Sequence, residues 1–112
     1  MITGVYNNIN GAEKMIYKYN LGKPNYHNDY PTLIITHGEV IKRFLTVQLQ
    51  DENAVIWAEV DKANIEDNYI TVRAIWTGYE EPANMDYIGT IQEPQYGLVY
   101  HYYAQNPKEV YK

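Results

Sequence analysis

Two arginines, Arg43 and Arg73, are the only side chains in this sequence with a planar fork of donors matched to a phosphate or carboxylate. Arg73 opens the stretch Arg73-Ala74-Ile75-Trp76-Thr77-Gly78-Tyr79, which reads as a strand broken at its glycine. A strand end carrying Trp76 and Tyr79 can stack a planar base, while the backbone N–H groups around Thr77 and Gly78 can meet a phosphate. Arg43 and His101 join this candidate ligand site if the fold brings them near. The chemistry these residues suit is non-covalent capture of a small anionic ligand, a cyclic or linear nucleotide for example. The plainer alternative makes Trp57 and Trp76 core residues and pairs Arg73 with a cross-strand acid such as Glu59.

Catalysis finds little to work with. The chain has no P-loop, no dinucleotide glycine fingerprint, no G-x-S-x-G and no H-E-x-x-H. Its three histidines, His27, His37 and His101, lie far apart in sequence. A metal site built from His37, His101 and Asp61 would lack the close ligand pair that such sites usually show. The acidic pairs Asp51-Glu52 and Glu80-Glu81 fall in expected turns, where solvated carboxylates are the ordinary outcome. The expectation is a protein that is not an enzyme and needs no metal or cofactor.

The elements that must position these residues are strands. Residues 55–60 (V-I-W-A-E-V) place Val55, Trp57 and Glu59 on one face and Ile56, Ala58 and Val60 on the other. Both faces are largely apolar, as in a strand covered on both sides. Residues 69–76 put Ile70, Val72, Ala74 and Trp76 on one face against Tyr69, Thr71, Arg73 and Ile75. These two tryptophan-bearing strands, joined by a polar connection, form the centre around which the chain is read. Residues 15–21, 32–36, 44–50, 87–92 and 98–104 add further strand patterns. Val40, Ile41, Phe44 and Leu45 are spaced for a helical turn or a bulge, so strand is expected from about Phe44. Asp51-Glu52-Asn53 is a turn signal that makes residues 46–60 a hairpin. Residues 61–68 could hold a short helical turn. The expectation is a mainly β, small antiparallel sandwich or barrel of about seven short strands, with at most one or two short helices. Its domain spans 15–104, preceded by a flexible arm over 1–14 and followed by a polar tail over 105–112.

Composition narrows the partners. One core fits 112 residues, and the absence of cysteine excludes disulfides and thiolate chemistry. A net charge of −5 with nine scattered basic residues argues against long nucleic acid. No apolar run suggests a membrane span or leader. Thirteen tyrosines against one phenylalanine favour half-exposed faces and interfaces. Tyr96, Tyr100, Tyr102 and Tyr103 crowd the last strand. If that strand lies at an edge, it could form a homo-oligomer or dock a host protein, and the acidic charge suits a basic partner.

Six landmarks recur in order: I-Y-K-Y from Ile16, V-Q-L-Q from Val47, I-W-A-E-V-D from Ile56, W-T-G-Y from Trp76, Y-I-G-T-I-Q from Tyr87, and a final aromatic strand containing His101. Together they resemble an uncharacterised family of small bacteriophage and prophage proteins, over residues 15–104. The chain departs from that pattern in its fourteen-residue front. It departs again in I-T-H-G-E-V-I-K-R-F, where relatives carry a proline-glycine-alanine element. The resemblance brings no activity and no site residues. It implies a phage accessory protein in the cytoplasm of a bacterial host, countering host defence either by sequestering a signalling nucleotide or by binding a host defence protein directly.

Overall fold

Short β-branched and aromatic runs between polar breaks become eight strands among the described residues. The structure is a computed structural model that describes residues 2–7, 13–24, 31–63 and 65–111. In chain order they are β1 (Ile2–Asn7), β2 (Glu13–Gly22), β3 (Thr32–Thr36), β4 (Glu39–Gln50), β5 (Asn53–Lys62), β6 (Asn68–Trp76), β7 (Met85–Gln92) and β8 (Val99–Gln105), followed by one helical turn, α1 (Pro107–Val110). They form two four-stranded sheets, ordered β1-β2-β5-β4 and β3-β6-β8-β7. Every neighbouring pair is antiparallel.

The two tryptophan strands therefore do not pair with each other. β5 lies between β2 and β4 in one sheet, and β6 lies between β3 and β8 in the other. They contribute to one core from its two walls: Ile56, Ala58 and Val60 of β5 join Ile70 and Val72 of β6 and Tyr100, Tyr102 and Ala104 of β8. Both faces of β5 are covered, as its sequence requires, because Val55 and Glu59 on the opposite face are also buried. That outward face is roofed by long side chains, including Lys18, whose ammonium lies 5.7 Å from the Trp57 ring centre.

The architecture is a sandwich, not a closed barrel. The free edges of β4 and β7 approach without forming a ladder. The approach is tight at Gly89, where a Cβ would sit 2.8 Å from Val47 Cγ1. The β4–β5 hairpin closes at Gln50–Asn53 through a two-residue turn in which Asp51 (φ 48°) and Glu52 (φ 69°) are both left-handed. That is the turn whose twist matches a hairpin, filled here without glycine.

Three expectations are corrected. The arm over residues 1–14 is not loose where it is described: Ile2–Asn7 pairs with β2 from Tyr17 to Glu13. Its asparagine-rich polarity hid an edge strand that pairs with β2. The tail over 105–112 is docked. Asn106 caps α1 by accepting from Lys108 N, Pro107 is buried, and the Tyr111 hydroxyl lies 3.1 Å from Thr36 Oγ1. Finally, β4 begins at Glu39, not Phe44, because bulges at Ile41/Arg43 and Phe44/Thr46 break its period of two while keeping it paired to β5. No helix occurs among the described residues of 61–68.

Two substitutions test this packing. Glu52→Gly relieves the left-handed Cβ and gives up only an exposed contact with Lys23, so it should raise stability by about 1 kcal/mol. The melting temperature would rise by about 4–8 °C. Gly89→Ala should lower stability by about 1–3 kcal/mol, since β-branched Val47 has little rotamer freedom with which to retreat. Urea titrations of both variants measure the two effects.

Candidate functional site

Alternation along β6 and β8 sorts the expected site residues by face. Ile70, Val72, Tyr100, Tyr102 and Ala104 point inward to the core, which turns Arg73, Ile75, His101 and Tyr103 outward. The register sets them in rows across the sheet: Arg73, Tyr103 and Tyr87 in one, Ile75, His101 and Thr90 in the next. Arg73 and His101, 28 positions apart in the chain, thus share one face.

The connection between β6 and β7 completes this face. Both strands flank β8, so the chain must cross β8 to join them. It turns at Trp76–Tyr79, where Tyr79 N donates to Trp76 O at 3.2 Å and Gly78 takes φ 93°. A type II turn needs a left-handed residue at that third position, so glycine fits where other residues would strain. Within the turn Thr77 Oγ1 lies 2.7 Å from His101 Nε2, and beyond it Glu81 accepts from the Tyr103 hydroxyl at 3.2 Å. The crossover therefore runs along the outward side of β8.

His101 is held from both sides. Thr90 Oγ1 lies 3.0 Å from its Nδ1 and 2.5 Å from the Tyr87 hydroxyl. Hydroxyls both donate and accept, so this chain satisfies either imidazole tautomer and the imidazolium as well. The Tyr87 and Tyr103 rings meet edge to face with centroids 5.6 Å apart. The result is an aromatic pair directly beside Arg73, with the hydroxyls of Thr77 and Thr90 around the neighbouring His101.

Three expected members are placed differently. Trp76 points inward, packing partly against the core with its ring 6.4 Å from Tyr100. Tyr79 is exposed, its ring 6.2 Å from Trp76. Arg43 belongs to the other sheet, on β4, where it donates to Glu59 at 3.3 Å. Lys14 approaches the same carboxylate at 3.8 Å. Glu59 is thus claimed within its own sheet, which also removes it as a partner for Arg73. The reason is topological, since β5 and β6 occupy different sheets. His37 bonds Asp67 at the end of β3, and among the described residues no three metal-ligating side chains come together, so the arrangement with His101 and Asp61 does not assemble. His27 lies outside the described residues.

Thr90 and Tyr87 were not foreseen because only the β7–β8 register brings them to His101 and Tyr103, and Glu81 because only the crossover does. A further feature was also missed, a cavity of about 300 Å³ at one end of the sandwich. Leu49, Leu98 and Tyr100 line it, with Lys23, Glu52 and Tyr96 around them. Glu93 shapes this end by accepting from Gln95 N and Tyr96 N.

A domain of unknown function, DUF7352, matches residues 12–112. The chain belongs to that family. The match takes in the docked tail and every strand but β1, beginning just ahead of β2. No curated protein and no solved structure matches the chain. Among the described residues no helix is long and apolar enough to cross a membrane.

The tyrosines of β8 have a measurable consequence. Burial pushes the Tyr102 phenol well above its ordinary value of 10, with neighbouring Tyr100 adding to the shift. Below pH 10 both folded and unfolded chains hold this proton. Above it the unfolded chain releases the proton first, so stability is lost as pH rises toward the folded value. The unfolding free energy should fall with a slope approaching about 1.4 kcal/mol per pH unit from this group. Tyr102→Phe should flatten that slope in denaturant titrations between pH 9 and 11.

Proposed function

We propose that this protein is a non-catalytic binding domain that takes a small anionic, nucleotide-type ligand on the outward face of β6 and β8. One observation carries the reading: the register sets Arg73 beside the Tyr87–Tyr103 aromatic pair and one row from His101, which Thr77 contacts. A guanidinium suits a phosphate, tyrosine rings suit a base, and threonine hydroxyls suit a ribose or phosphate oxygen. Glu81, at the far side of Tyr103, would favour a ligand whose charge lies toward Arg73.

A non-catalytic role is supported by what surrounds His101. The Thr77–His101 contact resembles a nucleophile and its base, but the group on the other ring nitrogen is the neutral hydroxyl of Thr90. A carboxylate there would stabilise the imidazolium that catalysis forms, and Glu81 is engaged with Tyr103 instead. In the setting that the phage resemblance implies, sequestration of a signalling nucleotide in the bacterial cytoplasm would counter host defence.

The alternative is direct inhibition of a host protein. The tyrosine-dense strand β8 cannot serve as its docking edge, because it lies between β6 and β7 with Tyr100 and Tyr102 buried. An exposed apolar group does exist elsewhere, at Leu33, Ile35 and Tyr69.

Calorimetry with a panel of cyclic and linear nucleotides tests the proposal. Binding by the native protein is expected, and Arg73→Ala should weaken it by about 1–3 kcal/mol, the usual loss for a charge-assisted hydrogen bond. Arg73→Lys should fall between the two, keeping the charge without the fork. Silence across the panel, with specific retention of a host protein, would favour direct inhibition.

A further inference from the structure

The free edge of β3 differs from the other edges described. β4 carries two bulges, β1 breaks register once, and β7 carries one bulge while packing closely against Val47 of β4. β3, by contrast, pairs with β6 in unbroken register from Thr32↔Val72 to Thr36↔Asn68. Its five residues, T-L-I-I-T, include no charge, proline or glycine. Proteins usually protect such edges with lysine, proline or a bulge, because unpaired N–H and C=O groups template another strand. Here the outward side chains are apolar and open: Leu33 is 52% exposed and Ile35 45%, with Tyr69 at 59% beside Ile35 in the ladder.

We infer that β3 is the dimerisation edge of this protein, pairing antiparallel with β3 of a second copy about a two-fold axis at Ile34. That register alone overlaps all five residues. It sets Leu33 against Ile35 of the second copy and Ile35 against its Leu33, so four aliphatic side chains cluster on the outward face. The two copies each carry a net charge of −5, yet the strands that meet are uncharged, so no like charges are opposed in the ladder. An uncharged, self-complementary segment fits a second copy better than a basic partner, which would find no carboxylate on this strand. The two sheets β3-β6-β8-β7 would then become one continuous eight-stranded sheet, with one Arg73–His101 face on each half. A five-residue strand pair with its flanking side chains belongs to the small interfaces, below about 1,200 Å². The dimer is therefore reversible and concentration-dependent.

Sedimentation velocity of the full chain, in a concentration series reaching the millimolar range, tests this. The native protein should move from monomer to dimer. Ile35→Lys, which places a charge where edge strands usually carry one, should weaken self-association by roughly tenfold or more. Because Ile35 is exposed, its melting temperature should stay near that of the native protein. The absence of cysteine allows a register test. Opposed residues in an antiparallel pair lie about 4.5–5.5 Å apart at Cα, inside the disulfide window of about 4.4–6.8 Å. Oxidised Leu33→Cys/Ile35→Cys protein should therefore form covalent dimers. Either single variant should not, because its like positions lie diagonally about 7–8 Å apart. A monomer at every concentration overturns the inference, as does a dimer that persists in folded Ile35→Lys. Cross-linking by the single variants, or none by the double variant, overturns the register at Ile34. Ile35→Lys-sensitive capture of a different protein by a strictly monomeric chain would assign the edge to that partner instead.

Discussion

The burial of β5 on both faces is the constraint from which the rest of the molecule follows. Ile56, Ala58 and Val60 have no exposure to solvent, and Val55 and Glu59 on the opposite side are nearly as enclosed. A strand of this kind cannot sit at an edge, since its ladder groups and both side-chain rows need cover. β2 and β4 supply the ladder partners, β6 and β8 close one face, and lysine and arginine stems cover the other. Once β5 is central to one sheet, β6 must lead a second sheet, and the polar link between them becomes the passage from one wall to the other.

That separation also governs the charges. Glu59 is buried, and a buried carboxylate without a partner would be costly. Lys14 and Arg43 approach it from the strands on either side of β5. Arg43 is therefore committed to a structural pair on one outward face, while Arg73 stands on the opposite outward face of the sandwich. The two arginines could not converge on a ligand without dismantling the core between them.

The outward face of β8 depends on a different topological fact. Strands β6 and β7 flank β8 and run in the same direction, so their connection must cross β8. The crossing chain brings Thr77 to His101 and Glu81 to Tyr103, while Thr90 reaches His101 from β7. The result is a hydrogen-bonded surface in which His101 is oriented on both ring nitrogens. Such a surface costs little to pre-organise, because His101, Thr90 and Tyr87 already satisfy one another from paired strands. The inward residues of the same strand, Tyr100 and Tyr102, anchor it in the core.

Much of this was legible from alternation alone. The cover on both faces of β5, the inward row Ile70-Val72, the hairpin at Asp51-Glu52, the limits of β3 and the stop at Gly78 follow from period-two patterning and turn chemistry, which are local. The all-β class followed from the same local signals. What alternation could not reveal was which strand lies beside which. The split of β5 from β6, the central place of β8, the separation of Arg43 from Arg73 and the joining of Thr90 to His101 are all matters of pairing. Pairing partners are chosen by backbone groups that are alike at every residue, so side-chain patterns carry little trace of them. The polar segments at both ends were misread for a related reason: β1 is held by backbone bonds to β2, and the tail by Pro107 and Tyr111. Sequence determined that β5 is covered on both faces and which face of β6 turns inward, because burial is a property of side chains. Tertiary structure decided which faces meet, because that depends on how two sheets are ordered and stacked.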